Sequence, residues 1–122
     1  MLIPHFYSVK EFNFTDNQLK AIIELNPEHD VFKGHFPNNP VTPGVCMLQI
    51  LKELTEQATN TNLFIKECSN VKFMALINPE VNAVLTITID INQVEENFKI
   101  NASASFDETV ALKVNALLTQ QL

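Results

Sequence analysis

Lys33–Val45 reads KGHFPNNPVTPGV and holds both glycines of the chain, Gly34 and Gly44, with three of its six prolines, Pro37, Pro40 and Pro43. Glycine reaches backbone shapes closed to other residues, and proline fixes φ. His35 therefore stands in a loop with little conformational freedom. Gly44 falls in the first turn of a helix, where N–H groups have no intrahelical partner and the dipole favours negative charge. Without a side chain at Gly44, a ligand oxygen reaches that backbone. An imidazole there takes a proton from the carbon next to a carbonyl, while the helix end stabilises the enolate-like oxygen. That chemistry is α-proton abstraction from a thioester. His5 and His29 lack such surroundings and read as structural. Cys46 follows Val45 in the same turn. A helix start lowers a thiol pKa, which would arm a nucleophile beside His35, but a small core-facing residue is the simpler reading.

The elements around this loop follow from hydrophobic spacing. From Val45 the apolar positions Met47, Ile50, Leu51, Leu54 and Ala58 recur every 3.6 residues, with Gln49, Lys52, Glu53 and Glu56 as the polar stripe. Thr42 suits an N-cap and Pro43 a first turn, so a helix is expected from Pro43 to about Thr59, roughly 25 Å long. Elsewhere the period is two. Leu85, Ile87, Ile89 and Ile91 share one face of Val84–Ile91. Phe98, Ile100, Ala102, Ala104 and Phe106 share another, as do Val110, Leu112, Val114, Ala116 and Leu118 in Thr109–Leu118. Glu95-Glu96-Asn97 and Asp107-Glu108 read as hairpin turns, and Asn38-Asn39 as a turn in the loop. Leu19–Leu25 and Val71–Ile77 are further strands, the latter closed by Asn78-Pro79. Such alternation means half-buried antiparallel strands. One long helix with five or six strands gives a single α+β domain over 1–122, its sheet wrapped around the helix.

Composition narrows the function classes. The chain has 122 residues and a net charge of −6, and every one of its eight basic residues is Lys. An acidic chain without Arg is a poor match for nucleic acid or an anionic membrane surface. No apolar stretch is long enough to span a membrane, and MLIPHFYSVKEF holds no signal-peptide core. Cytoplasmic residence is the expectation. Cys46 and Cys68 form no metal or redox motif and read as buried thiols in a reducing compartment. The nine Phe residues read mainly as core. A domain of this size buries roughly two-thirds of its unfolded surface, so a dimer would help it.

The motif Gly34-His35-Phe36-Pro37, then Pro40-Val41, then Pro43-Gly44-Val45, resembles the signature of the (3R)-hydroxyacyl-acyl-carrier-protein dehydratases, without a gap. The likeness continues through Val71-Lys72-Phe73 and Pro79 and spans about Ile22 to Leu118. Residues 1–20 hold no clear counterpart of that family's N-terminal motif. The resemblance implies a hot-dog fold in a double hot-dog dimer, two helices side by side under one continuous sheet. It implies an acyl thioester on a phosphopantetheine arm, and no metal or organic cofactor. His35 takes the place of the catalytic base, and Gly44 with Val45 polarises the thioester. Phe36, Pro37, Val41 and Pro43 are the expected substrate-binding residues. Acyl carrier protein is acidic, so Lys33, Lys66 and Lys72 are candidate docking residues. Coenzyme A thioesters or a dedicated carrier are alternatives.

One departure is chemical. Four residues beyond Val45 the family has Glu or Asp, supplied by the partner subunit to protonate the departing hydroxyl; this chain has Gln49. An amide orients a hydroxyl but donates no acidic proton, and such help is worth about 10²–10⁴-fold in rate. Three readings follow. His35 carries both proton transfers while Gln49 holds the hydroxyl, giving a dehydratase that makes a trans-2-enoyl thioester. Alternatively Glu53, one turn on, is the substitute acid; against this stands the plain reading of Glu53 as a solvated helix acid. Or the chemistry is lost, leaving an acyl-binding protein or the non-catalytic half of a heterodimer with a related subunit. A thioesterase on the same fold would need Glu53 or Gln49 to activate water.

Overall fold

A computed structural model describes residues 5–32 and 41–121. The elements run β1 (Tyr7–Thr15), β2 (Gln18–Leu25), a short 3-10 turn (Asp30–Phe32), α1 (Gly44–Thr59), β3 (Leu63–Phe73), β4 (Val84–Val94), β5 (Asn97–Phe106) and β6 (Thr109–Gln120). The six strands form one antiparallel sheet in the order β1-β2-β4-β5-β6-β3. With α1 packed on one face of that sheet, the fold is the α+β hot-dog.

Alternation and period place the core as expected. Leu85, Ile87, Ile89 and Ile91 of β4 are buried, and so are Met47, Ile50, Leu51 and Leu54 of α1. Opposite them the central strand β5 carries small residues, Ala102 and Ala104, both buried. Close packing needs this pairing of large with small side chains. The hairpins turn where Asp and Asn tolerate the left-handed region: Asp16 and Asn17 between β1 and β2, and Asp107 between β5 and β6. Glu95 has the same backbone sign between β4 and β5. At its far end α1 stops on Asn60 in the left-handed conformation, with the Asn60 N–H donating to Glu56 O. The Glu56 side chain then accepts from Leu63 N–H at 2.8 Å and pairs with Lys52 Nζ at 3.1 Å, fastening α1 to β3.

Several expectations need correction. The strand expected over Val71–Ile77 is instead β3, which begins at Leu63 and ends at Phe73. Two bulges, at Ile65/Glu67 and Cys68/Asn70, scramble its period, and most of its residues are exposed. β1 has no counterpart in the hydrophobic pattern because it is an edge strand with one bulge and mostly exposed side chains. Val110 is exposed, and Ala111 is buried in its place, because the β5–β6 register shifts at Ala104/Ser105. The Ala111 carbonyl then accepts from Met74 N–H at 2.8 Å and Ala75 N–H at 3.3 Å, tying the segment after β3 to β6. Cys68 is exposed rather than buried, since it lies on the open edge strand. Among the described Phe residues Phe6, Phe32 and Phe98 are buried, but Phe14, Phe64 and Phe73 are exposed. His29 packs edge-on against Phe6 and accepts Val31 N–H on Nδ1, a structural part as expected.

Candidate functional site

The helix starts at Gly44, one residue later than expected, and Pro43 rather than Thr42 is the N-cap. Pro43 has extended backbone angles and makes no side-chain cap. Its carbonyl accepts the N–H of Cys46 at 3.0 Å and of Met47 at 3.3 Å. Gly44 and Val45 N–H precede those donors and have no intrahelical acceptor. Thr42 is held just outside the helix by its N–H, which donates to Ile77 O at 2.8 Å. The Thr42 hydroxyl is buried and meets no hydrogen-bond partner among the described residues.

A groove of about 420 Å³ opens at this helix start. Val41, Thr42 and Gly44 line one side, and Phe73 to Ile77 the other. Its walls are mostly apolar, with the Thr42 hydroxyl, unpartnered among the described residues, and the Gly44 end of the helix as its polar features. Such a place suits a carbonyl oxygen on an apolar chain. The Phe73 ring lies across Gly44: a Cβ at Gly44 would meet Phe73 Cζ at 2.7 Å. A side chain at Gly44 would displace the ring from this position. Val45, 73% exposed, projects outward. Cys46 is buried on the core side, and burial pushes its thiol above the ordinary value. A helix start does not arm it here, because desolvation of the thiolate outweighs the dipole.

One turn further along α1 the polar stripe forms a defined network. Gln49 Nε2 donates to Glu53 Oε2 at 2.9 Å. Tyr7 Oη, from β1, donates to Glu53 Oε1 at 2.7 Å. Glu53 is therefore no solvated helix acid: it is half-buried, with a donor on each oxygen. Tyr7 itself is only 8% exposed. Burial first, then the hydrogen bond to Glu53 and the charges of Glu53 and Glu56, push its phenol far above the ordinary range. Tyr7 thus keeps the proton that it donates to Glu53. The sequence reading missed it; the signal available was that Tyr7 is the sole Tyr of the chain, set in an apolar N-terminal stretch.

The structure thus brings Val41, Pro43, Gly44 and Val45 to one helix start, with Gln49 and Glu53 linked on the helix beyond it. His35, Phe36 and Pro37 lie outside the described residues, as do Lys33 and the Asn38-Asn39 turn. Lys66 and Lys72 are exposed on β3. Lys72 stands directly across from Lys113 on β6, a like-charge pair that an anionic partner would relieve. Among the described residues no His, Cys, Asp and Glu gather as a metal site, and no helix is long and apolar enough to cross a membrane.

Comparison with known proteins adds to this geometry. The chain is 24% identical over 133 residues to the 3-hydroxyacyl-acyl-carrier-protein dehydratase FabZ of Burkholderia thailandensis, covering 97% of this chain and 82% of that one. With FabZ of Rickettsia felis it shares 29% identity over 103 residues, covering 73% and 70%. Among solved structures, the dehydratase heterocomplex ApeI:P from Xenorhabdus doucetiae superposes with a TM-score of 0.79 at 18% identity, covering 93% of this chain and 97% of that one. At that identity the likeness establishes the hot-dog fold. A family model described as ApeI-like, ApeI dehydratase, matches residues 11–112, most of the described sheet and helix. The chain belongs to the ApeI-like dehydratase family.

Proposed function

We propose that the protein dehydrates a (3R)-3-hydroxyacyl thioester, carried on acyl carrier protein, to the trans-2-enoyl thioester in fatty acid or related acyl-chain synthesis. The observation that carries this reading is the helix start. Gly44, at the first turn where N–H groups lack intrahelical acceptors, lines the apolar groove of Val41, Thr42 and Phe73 to Ile77, and Val45 follows it in the same turn. A thioester carbonyl seated there gains two peptide donors as its C2 proton leaves. His35, from the motif preceding the helix, is the base. It returns the proton to the departing oxygen, while Gln49 of the partner subunit holds the hydroxyl. Phe36, Pro37, Val41 and Pro43 shape the entrance. The working unit is a double hot-dog homodimer of single-domain chains. Lys66, Lys72 and Lys113 give the carrier a local basic surface on a chain of net charge −6.

A 3-hydroxyacyl thioester offered to the protein should yield enoyl absorbance, which His35→Ala should abolish. Thiol release without enoyl product would point to a thioesterase. Gln49→Glu places a carboxylate against Glu53, and two carboxylates at that spacing share one proton. That proton supplies the missing acid, so dehydration should rise about 10–100-fold. A second reading has one specific support. Gln49 replaces the acid, which suits a subunit that binds acyl chains or completes a heterodimer with a related chain, and ApeI:P is itself a dehydratase heterocomplex. Acyl binding with neither enoyl nor thiol product would favour it.

A further inference from the structure

The amide of Gln49 cannot be turned freely. Its Nε2 lies 2.9 Å from Glu53 Oε2, and a carboxylate oxygen accepts but does not donate. The NH2 must face Glu53, so the amide oxygen Oε1 faces away from it. Glu53 is fixed in turn by Tyr7 Oη at 2.7 Å, reaching across from β1. Tyr7 is buried, and its hydroxyl proton is the one shared with Glu53. The network Tyr7 to Glu53 from one side, and Gln49 to Glu53 from the other, has a single sense.

We infer that Glu53, anchored by Tyr7, is the positioning residue that presents the carbonyl oxygen of Gln49, and not its NH2, to the hydroxyl on C3 of the substrate. The inference rests on the dehydratase reading and narrows its substrate class to chains with an O–H donor at C3. A keto or fluoro group there sets a lone pair against Oε1, and a site built to accept from a hydroxyl rejects such analogues. It also fixes the route of the proton. The C2–H bond breaks toward the His35 imidazole. The C3–O bond breaks with its electron pair on oxygen, the imidazolium returns the proton to that oxygen, and water leaves behind a C2–C3 double bond. Gln49 holds the hydroxyl and supplies no proton.

The side-chain NH2 signals of Gln49, assigned by their loss in Gln49→Met, report the arrangement directly by ¹⁵N–¹H NMR. In Glu53→Ala they should move to free-amide positions while the backbone spectrum keeps the fold. Paired inert ligands, the 3-hydroxyacyl and 3-fluoroacyl amides of pantetheine, read the consequence. The wild type should prefer the hydroxyl compound by about 10-fold or more, and Glu53→Ala should lose that preference. Glu53→Gln, whose amide oxygen still accepts from Gln49 Nε2 while its NH2 donates to the Tyr7 oxygen, should restore it. In turnover Glu53→Ala should lower kcat about 10-fold with KM within about 2-fold. Unmoved Gln49 signals, or a preference that survives in a folded Glu53→Ala, would overturn the inference. Should that variant fail to fold, Tyr7→Phe, which removes the anchor of Glu53, carries the same readouts. A wild type that forms no enoyl product sinks the dehydratase reading instead, while the amide signals and ligand preference still decide this one.

Discussion

Thr42 poses the sharpest question at the scale of one residue. Its N–H is used by Ile77 O, yet its hydroxyl is 5% exposed as a residue and bonds to nothing among the described residues. A buried hydroxyl without a partner costs about 1–3 kcal/mol. Thr42→Val keeps the shape and removes the orphan, so the urea midpoint should rise by the equivalent of about 1 kcal/mol. If the hydroxyl serves a ligand in the groove beside Gly44, the same variant should raise KM for the thioester. A gain in stability with KM unchanged would show the hydroxyl to be idle. Gln49 and Glu53 make the companion case. The dehydratases that the loop motif resembles carry an acid at the position of Gln49. The hydrogen bond between them is reversible in sense, since an amide turned over donates to either carboxylate. Gln49→Glu with Glu53→Gln should therefore keep the stability that Gln49→Glu alone loses in holding two carboxylates on one proton, and measured unfolding of the four forms isolates that coupling.

At the scale of elements, Tyr7 joins β1 to α1 through Glu53, and that joint has a pH signature. The phenol is held above its ordinary value of 10.0, so the folded chain keeps its proton where the unfolded chain has lost it. Above that value the folded state binds more protons, and stability falls as pH rises; below it the contribution is complete. The chain has one Tyr and no Trp, so tyrosinate absorbance reports Tyr7 alone. It should appear together with the loss of far-ultraviolet dichroism, not before, and Tyr7→Phe should shift the alkaline unfolding to higher pH. Tyrosinate rising in a still-folded protein would contradict the buried bond. The same joint shows why β1 was illegible in the sequence. β2, β4, β5, β6 and α1 could be read because each presents one face to the core, and burial writes a period of 2 or 3.6 into the residue types. β1 and β3 are edges, bulged and mostly exposed, so nothing enforces a period there. The helix start was legible because Gly44 and Pro43 are chosen for backbone shape. The network on Glu53 was not, because it depends on Tyr7, 46 residues away.

At the scale of the whole molecule, the unfinished surface is β3. Through its register with β6, Cys68 pairs with Ala116, Val71 with Val114 and Phe73 with Leu112, so these three face the same side as the buried core of β6. Yet Cys68 is exposed, Val71 is 37% exposed and Phe73 53%. The sheet offers a core-facing apolar strip on its edge that the described residues cover only in part, chiefly where the Phe73 ring lies across Gly44. A bare strand edge beside such a strip invites pairing with another chain, and in the proposed double hot-dog dimer the sheet would continue across it. The two thiols make this measurable. Cys46 is buried with its thiol held protonated by desolvation, so it stays silent toward thiol reagents. Cys68 reports the edge. In a dimer closed over β3, neither thiol should react in the folded protein. Val71→Asp, which sets a charge in the strip, should shift the protein to monomer in sedimentation and release one fast-reacting thiol per chain. A wild type that is dimeric while Cys68 reacts at once would move the interface away from β3, and with it the path by which Gln49 of one subunit reaches the groove of the other.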